Sequence, residues 1–132
     1  LEIGTCVGYS TLWLAKEGKE IITLEMEKEK GEQAQQVFKQ FNLPITVLVG
    51  DAKETLTKLS GTFYFVFIDA MKKEYITYIQ LLENHLDKQT LIVADNIISH
   101  KEQVNAYVMY MQKHYKNVLV PVGSGLLLST KR

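Results

Sequence analysis

Short apolar runs alternate with helical patterns along this 132-residue sequence. Four runs are almost continuously apolar and have the length of strands, at residues 21–26, 45–49, 63–68 and 91–94. Apolar side chains also recur at helical spacing, at Ala34, Val37, Phe38 and Phe41, at Ile79, Leu82 and Leu86, and at Val104, Tyr107, Val108 and Met111. Continuous apolarity is expected of strands covered on both faces, as in parallel sheets. The alternation therefore predicts an α/β fold with a parallel sheet.

The end of the sequence has a different pattern. Apolar runs at residues 118–122 and 126–130 are separated only by Gly123-Ser124-Gly125, which is too short for a crossover, so these two strands should be antiparallel. Counting a short first strand, we predict seven strands in a doubly wound, mostly parallel sheet, with an antiparallel C-terminal strand and helices on both faces. Because the first strand is cut short, residues 1–132 are expected to form one domain whose N-terminal part is missing.

Composition excludes several classes of protein. The sequence has 15 Lys and Arg against 15 Asp and Glu, so no overall field attracts nucleic acid or an anionic membrane. Cys6 is the only cysteine, which excludes an internal disulfide framework and fits a reducing compartment. No signal peptide is visible, and no apolar run is long enough to cross a bilayer. These features predict a cytoplasmic protein without a membrane partner.

Polar residues collect where the predicted strands end. These positions are residues 4–10, Glu25, Gly50-Asp51, residues 69–72 and Asp95-Asn96. In open α/β sheets, ligands bind beyond the carboxyl ends of the strands. We therefore expect the ligand site at this edge of the sheet.

The first of these stretches holds two glycines, Gly4 and Gly8, between a strand and a helix. Glycine lets the chain turn sharply and lets a ligand approach the backbone, and the helix that follows offers free N–H groups to an anion. The spacing is GxxxG, so the dinucleotide-binding GxGxxG pattern is not met. A tight strand-to-helix turn without a ligand is the alternative interpretation.

Two acidic residues end the next two strands. Glu25 could accept both hydroxyls of a ribose, or it could be a solvated member of the charged run at residues 25–30. Asp51 could cap the helix that follows it, or lie beside an adenine ring. Both roles of Asp51 are compatible.

Six stretches in this order resemble the S-adenosylmethionine-dependent O-methyltransferases of the catechol and caffeoyl-CoA type, which have a Rossmann-like fold. They are LEIGTCVGYSTLWLA, LEME, VGDAKETL, FVFIDAMKKEY, LIVADN and VPVGSGLLL. The resemblance covers nearly the whole chain. Its most specific part is the pairing of IDAMKKEY with ADN, because class I methyltransferases in general share the glycine loop but not a metal site.

The resemblance implies a role for each matching residue. Those that match Glu2, Ser10 and Glu25 hold the methionine end and the ribose of S-adenosylmethionine. The stretch that matches residues 50–52 borders the adenine. The complete implied cofactor site is Glu2, Gly4, Thr5, Gly8, Tyr9, Ser10, Glu25, Met26, Gly50, Asp51, Ala52 and Asp69.

The resemblance also implies that Asp69, Asp95 and Asn96 bind a divalent metal and that Lys72 is the catalytic base. Two carboxylates and an amide oxygen are hard ligands, which suit Mg²⁺ best, with Ca²⁺ or Mn²⁺ as alternatives. A cation would bind the acceptor's oxygens and lower their pKa. Taken alone, Lys72 could instead begin a solvated helix, and Asp95-Asn96 could be a turn that ends a strand.

Two features depart from the resemblance. Met71 stands where many caffeoyl-CoA-type relatives have a second aspartate, and residues 97–100 lead into a helix without the acceptor-binding insertion of the plant enzymes. The aromatic acceptor of the plant enzymes is therefore not carried over. His100 is expected to be an exposed residue at a helix start, although it could face the site.

The acceptor is expected to be a small aromatic or vicinal-diol hydroxyl compound, and the protein a homodimer. A hydroxylated tRNA base is the alternative acceptor, less favoured because the net charge is zero. A nucleotide-dependent oxidoreductase and a non-catalytic cofactor-binding domain remain alternatives of other classes. The GxxxG spacing argues against the oxidoreductase. The set of Asp69, Lys72, Asp95 and Asn96 argues against a silent domain.

Overall fold

The computed structural model describes residues 1–17 and 19–132. The described residues form seven strands: β1 (Glu2–Ile3), β2 (Ile21–Glu25), β3 (Ile45–Val49), β4 (Phe65–Ile68), β5 (Leu91–Ala94), β6 (Tyr115–Val120) and β7 (Leu126–Lys131). They also form five α-helices: α1 (Tyr9–Leu14), α2 (Lys28–Gln40), α3 (Ala52–Thr55), α4 (Tyr75–Leu82) and α5 (Lys101–His114). Short 3₁₀ turns cover Ala15–Glu17, Leu56–Lys58, Lys72–Glu74 and Glu83–His85. The chain divides into two compact units, Leu1–Lys58 and Leu59–Arg132.

The first unit contains three parallel strands in the order β3-β2-β1. Ile21 pairs with Ile45 and Glu25 with Val49, so β2 and β3 end level with each other. The prediction of strands buried on both faces is confirmed for β2 but wrong for β3, whose last residue Val49 is 44% exposed. Strand β3 is more exposed because it is at the edge of this unit's sheet, where only one side has a neighbouring strand.

Helix α2 packs on the sheet of the first unit. Ala34 and Phe38 are buried together with Val47 of β3, which confirms the predicted apolar stripe. Phe41 is the exception, since 63% of it is exposed. The helix ends at Gln40, and the chain then turns through Asn42 at a positive φ of 50°, so Phe41 does not continue the stripe.

The second unit contains the order β4-β5-β7-β6. Strands β4 and β5 are parallel, and β7 is antiparallel to both of its neighbours. The predicted reversal of the last strand is therefore confirmed. Strand β6 begins at Tyr115 and ends at Val120, earlier than predicted, because Pro121 has no N–H to pair and the turn that follows closes from Gly125 N to Val122 O.

Helices α4 and α5 both contribute buried side chains to the second unit's core. Ile79, Leu82 and Leu86 are buried, as are Val104, Tyr107 and Met111, so both predicted stripes are confirmed. Tyr107 meets Tyr75 edge to face, with ring centroids 5.6 Å apart.

A polar cluster around Glu83 connects the elements of the second unit. The phenols of Tyr110 and Tyr115 donate hydrogen bonds to Glu83 Oε1 at 3.0 and 2.6 Å. Lys131 Nζ lies 3.2 Å from Glu83 Oε2 and donates to the Glu83 carbonyl oxygen at 2.7 Å. Burial raises the pKa of Glu83, but hydrogen bonds from Tyr115, Lys131 and Tyr110 outweigh it and lower that pKa below its ordinary value of 4.5.

This lowered pKa predicts an acid-sensitive contribution to stability. The folded protein binds the Glu83 proton less readily than the unfolded chain, so the contribution is present above pH 4.5 and is lost as the pH falls through the lower folded pKa. Glu83→Gln should lower the free energy of unfolding at pH 7 and flatten its dependence on pH below 4.5. Urea unfolding between neutral and acidic pH measures both effects, with exposed Glu102→Gln as the control. Parallel curves for wild type and Glu83→Gln would contradict this assignment.

Candidate active site

The glycine loop of the first unit is a tight strand-to-helix turn. The N–H groups of Gly4 and Thr5 both donate to the carbonyl oxygen of Leu24 on β2, at 3.0 and 3.1 Å. Gly4 and Gly8 have positive φ angles of 109° and 90°, and Gly8 N donates to Thr5 O just before α1 begins. The backbone of this loop therefore needs glycine at both positions.

Packing also restricts Gly8. A Cβ atom on Gly8 would lie 2.6 Å from Phe38 Cζ and 3.5 Å from Ala34 Cβ. Helix α2 thus requires a glycine here whether or not a ligand binds. The structure therefore gives Gly8 a packing role of its own, and the approach of a ligand to its backbone stays a prediction.

Glu2 lies beneath this loop and is fully buried. Its carboxylate accepts hydrogen bonds from the hydroxyls of Ser10, Thr11 and Thr23, at 2.6, 2.5 and 2.6 Å. These bonds compensate for removing a charge from water. The structure brings the predicted residues Glu2 and Ser10 together. It adds Thr11 and Thr23, which the sequence analysis missed and which no motif distinguishes.

Glu25 connects the end of β2 to the glycine loop. Its Oε2 accepts from Cys6 N at 2.7 Å and its Oε1 accepts from Glu27 N at 2.8 Å. Only 8% of Glu25 is exposed, so the alternative of a solvated residue in the charged run is wrong.

The remaining cofactor candidates of the first unit follow β3 or flank the loop. Gly50 has a φ of 144° and donates its N–H to Glu25 O at 2.9 Å. Asp51 accepts from Lys53 N at 2.8 Å and caps the N-terminus of α3, which confirms the predicted helix cap. Ala52 is the first residue of that helix. Tyr9 and Met26 are 72% and 66% exposed, so both side chains are accessible to a ligand.

The metal candidates lie in the second unit, at the ends of two neighbouring strands. Ile68 of β4 pairs with Ala94 of β5, and Asp95 N donates to Ile68 O at 3.0 Å. Asp69 and Asp95 are therefore the first residues after a matched pair of strand ends, as the sequence required. Asn96 follows with a positive φ of 65°.

Lys72 forms an ion pair with Asp69. Its Nζ lies 2.8 Å from Asp69 Oδ1 and 5.7 Å from the centre of the Tyr75 ring. Only 16% of the Lys72 side chain is exposed, so the alternative of a solvated helix start is wrong. Tyr75 OH donates to Asp95 O at 3.2 Å, and burial followed by the charges of Asp69 and Asp95 raises the pKa of this phenol. Tyr75 was not among the site residues predicted from the sequence.

The Asp95 carboxylate is held at one oxygen. Oδ1 accepts from Asn96 N and from Ser124 Oγ, both at 2.5 Å. Ser124 belongs to the hairpin between β6 and β7, which the sequence analysis recognised only as a turn.

The two departures noted in the sequence can also be located. Met71 is 58% exposed. His100 precedes α5 and is half-buried, with Nδ1 2.9 Å from Ser99 Oγ, so the expectation of an exposed side chain is wrong. The His100 carbonyl oxygen accepts from Gln103 N and Val104 N at the start of α5, at 2.9 and 3.1 Å, so the predicted position at a helix start is confirmed.

The side chains present fit a hard divalent cation by their chemistry. Among residues 1–17 and 19–132, no group of three or more His, Cys, Asp or Glu side chains is arranged to hold a metal. The candidate set instead combines two carboxylates with the amide of Asn96. Such a set uses oxygen ligands only, which suits Mg²⁺ rather than a soft metal.

Comparison with known proteins decides the family. The sequence model described as O-methyltransferase matches residues 1–131. The chain belongs to the O-methyltransferase family. A catechol O-methyltransferase of Mycobacterium tuberculosis is 38% identical over 105 residues, covering 74% of this chain and 47% of that protein. One of Niastella koreensis is 38% identical over 108 residues, covering 74% and 48%. The chain thus spans about half the length of these curated relatives.

Solved structures confirm the fold class. The S-adenosylhomocysteine-bound methyltransferase PaMTH1 of Podospora anserina matches 99% of this O-methyltransferase-family chain with a TM-score of 0.90, at 22% identity and over 70% of its own chain. An O-methyltransferase of Bacillus cereus in complex with S-adenosylhomocysteine matches 99% of this chain and 72% of its own with a TM-score of 0.87, at 24% identity. The predicted Rossmann-like α/β fold and the family resemblance are both confirmed.

Within the described residues, no helix is both long enough and apolar enough to span a bilayer.

Proposed function

We propose that the protein transfers a methyl group from S-adenosylmethionine to a hydroxyl of a small aromatic or vicinal-diol acceptor, with the help of a divalent cation. The observation that carries the proposal is the arrangement at the ends of β4 and β5, where Asp69, Lys72, Asp95 and Asn96 collect. Family membership and the catechol O-methyltransferase names of two relatives support it.

The first unit supplies most of the proposed cofactor residues. S-adenosylmethionine, when bound, supplies an electrophilic methyl group on a sulfonium. Ser10 and Glu2 would hold its methionine end, and Glu25 its ribose. Glu25 is suited to this role because it is an ordered carboxylate at a strand end, held by two backbone N–H groups.

The second unit supplies the proposed metal and base residues. Asp69, Asp95 and Asn96 would hold the cation, which supplies positive charge to the acceptor's oxygens. In its neutral amine form, Lys72 would take the acceptor's proton at Nζ, and its side chain is shielded from solvent at the same strand end. The Tyr75 ring lies beside Lys72, with its centre 5.7 Å from Nζ.

A binding experiment separates this proposal from the other classes of protein. Isothermal titration should detect S-adenosylhomocysteine binding and no binding of NADH. Binding of NADH alone would support the nucleotide-dependent oxidoreductase. Cofactor binding without turnover on any hydroxyl acceptor would support a silent domain. Turnover on a hydroxylated tRNA base but on no small acceptor would make the tRNA base, and not a small molecule, the methyl acceptor. The cytoplasmic location and the homodimer stay predictions.

The ribose role of Glu25 makes a specific prediction. Glu25→Ala should weaken S-adenosylhomocysteine binding by about 2 kcal/mol, roughly 30-fold in Kd, because the ribose hydroxyls lose a charged acceptor. Glu25 also holds the glycine loop, so the variant's melting temperature must be measured alongside.

A second ligand separates the proposed ribose role of Glu25 from the proposed methionine-end role of Ser10. Methylthioadenosine lacks the amino-acid part, so Glu25→Ala should weaken its binding too, whereas Ser10→Ala should weaken only S-adenosylhomocysteine. Unchanged affinity of folded Glu25→Ala for both ligands would remove Glu25 from the cofactor site.

A further inference from the structure

The hairpin between β6 and β7 lies against the segment that follows β5. The N–H of Ile97 donates to Gly125 O at 3.0 Å. The N–H groups of Ile98 and Ser99 both donate to Ser124 O, at 3.0 and 3.1 Å. Three backbone hydrogen bonds thus fix the hairpin tip relative to the residues that come directly after Asp95 and Asn96.

Gly125 makes this close approach possible. It is buried, its φ is 87°, and a Cβ atom there would lie 2.4 Å from Ile98 Cγ1. A side chain would therefore push the hairpin away from the segment. These contacts hold the backbone of Ser124 beside the segment without using its side chain.

The Ser124 hydroxyl uses this position to hold Asp95. Ser124 Oγ donates to Asp95 Oδ1 at 2.5 Å, and Asn96 N donates to the same oxygen. Within the described part of the chain, Oδ1 therefore accepts both hydrogen bonds of this carboxylate. They fix the plane and rotation of the carboxylate and leave Oδ2 for another ligand.

We propose that Ser124 is a positioning residue for the cation site: its hydroxyl holds Asp95 Oδ1 so that Oδ2 is presented to the divalent cation. This inference rests on the proposed function, which places a cation at Asp95. Removing a group that hydrogen-bonds to a metal ligand and orients it commonly weakens metal binding by about 10- to 100-fold.

The experiment measures metal affinity directly. Mn²⁺ is titrated into the full-length protein, and free Mn²⁺ is followed by electron paramagnetic resonance. Ser124→Ala should weaken Mn²⁺ binding by about 10-fold or more, and Ser124→Thr, which keeps the hydroxyl, should restore most of the affinity. Ser99→Ala is the matched control. The Ser99 N–H donates to Ser124 O in the hairpin, but the Ser99 hydroxyl forms its hydrogen bond with His100 Nδ1 and not with Asp95. S-adenosylhomocysteine affinity and the melting temperature without metal should change little in all three variants.

The outcomes distinguish this inference from the function on which it rests. Wild-type Mn²⁺ affinity in folded Ser124→Ala would overturn the role of Ser124 alone, and a fall in melting temperature without a change in affinity would show that the residue is structural. An equal loss in Ser99→Ala would assign the effect to the loop contact and also overturn the inference. A wild-type protein that binds no Mn²⁺ would overturn the cation site itself, together with this inference, while leaving cofactor binding to its own test.

Discussion

Removing divalent cations with a chelator should reduce methyl transfer by more than about 100-fold, because the acceptor's hydroxyl loses the charge that lowers its pKa and orients it. S-adenosylhomocysteine should still bind, because most of the proposed cofactor residues belong to the first unit and the cation residues to the second. Activity is measured with EDTA and again after Mg²⁺ is restored.

Variants of Asp95 show whether the effect arises at the proposed site. Asp95→Ala should be as slow as the chelated enzyme. Asp95→Asn is the sharper variant, since its side-chain oxygen can still accept from Ser124 Oγ and Asn96 N while the negative charge is lost. Exposed Glu102→Ala serves as the control. Full activity in EDTA, or Asp95→Ala as fast as wild type, would mean that these residues only end their strands.

Replacing Lys72 should have the second large effect. Lys72→Ala should lower kcat by about 10²- to 10⁴-fold, the usual contribution of a general base, with little change in cofactor affinity. The neighbouring Lys73→Ala is a matched control, because Lys73 is exposed whereas Lys72 forms an ion pair with Asp69.

Lys72→Arg distinguishes a base from a fixed positive charge. Arginine keeps the charge beside Asp69 but does not release a proton near neutral pH, so it should be nearly as slow as alanine. An active Lys72→Arg enzyme would show that the residue supplies charge only. Wild-type kcat in Lys72→Ala would remove it from the mechanism.

Most of the fold could be predicted because apolar patterning is a local property. The runs that became β2 and β5 and the stripes of α4 and α5 were recognisable from spacing alone. For β3 the prediction of burial on both faces failed because of the strand's position in the sheet. Strand β3 lies at the edge of its unit's sheet, and nothing in the run of residues 45–49 shows that one side has no neighbour.

From the sequence, the site residues could be located only at the ends of the predicted strands. Asp69 and Asp95 were expected at the ends of their strands, on the edge of the sheet where ligands bind, and the pairing of β4 with β5 shows that these two strand ends are neighbours. Thr11, Thr23 and Ser124 were missed because each acts through a hydrogen bond to a residue distant in sequence. Such contacts depend on the folded arrangement.

Gly8 shows that a glycine in a strand-to-helix turn can have a packing role in addition to the ligand-binding role that its position predicts. Its spacing from Gly4 suggested an approach of ligand to backbone. In the structure Phe38 occupies the space that a side chain would need. A glycine after a strand can therefore be required by packing alone, and only ligand binding itself tests its second role.

The most direct test of the account is transfer of a trideuterated methyl group from labelled S-adenosylmethionine, followed by mass spectrometry. The full-length protein is incubated with Mg²⁺ and catechol, and in parallel with 1,2-dimethoxybenzene, which has no hydroxyl to accept a methyl group. We expect catechol to gain one trideuteromethyl group in place of a hydroxyl proton and the dimethoxy compound to remain unchanged. Absence of label from catechol and from every other hydroxyl acceptor, by a folded protein that binds S-adenosylhomocysteine, would contradict the assignment of O-methyl transfer to this protein.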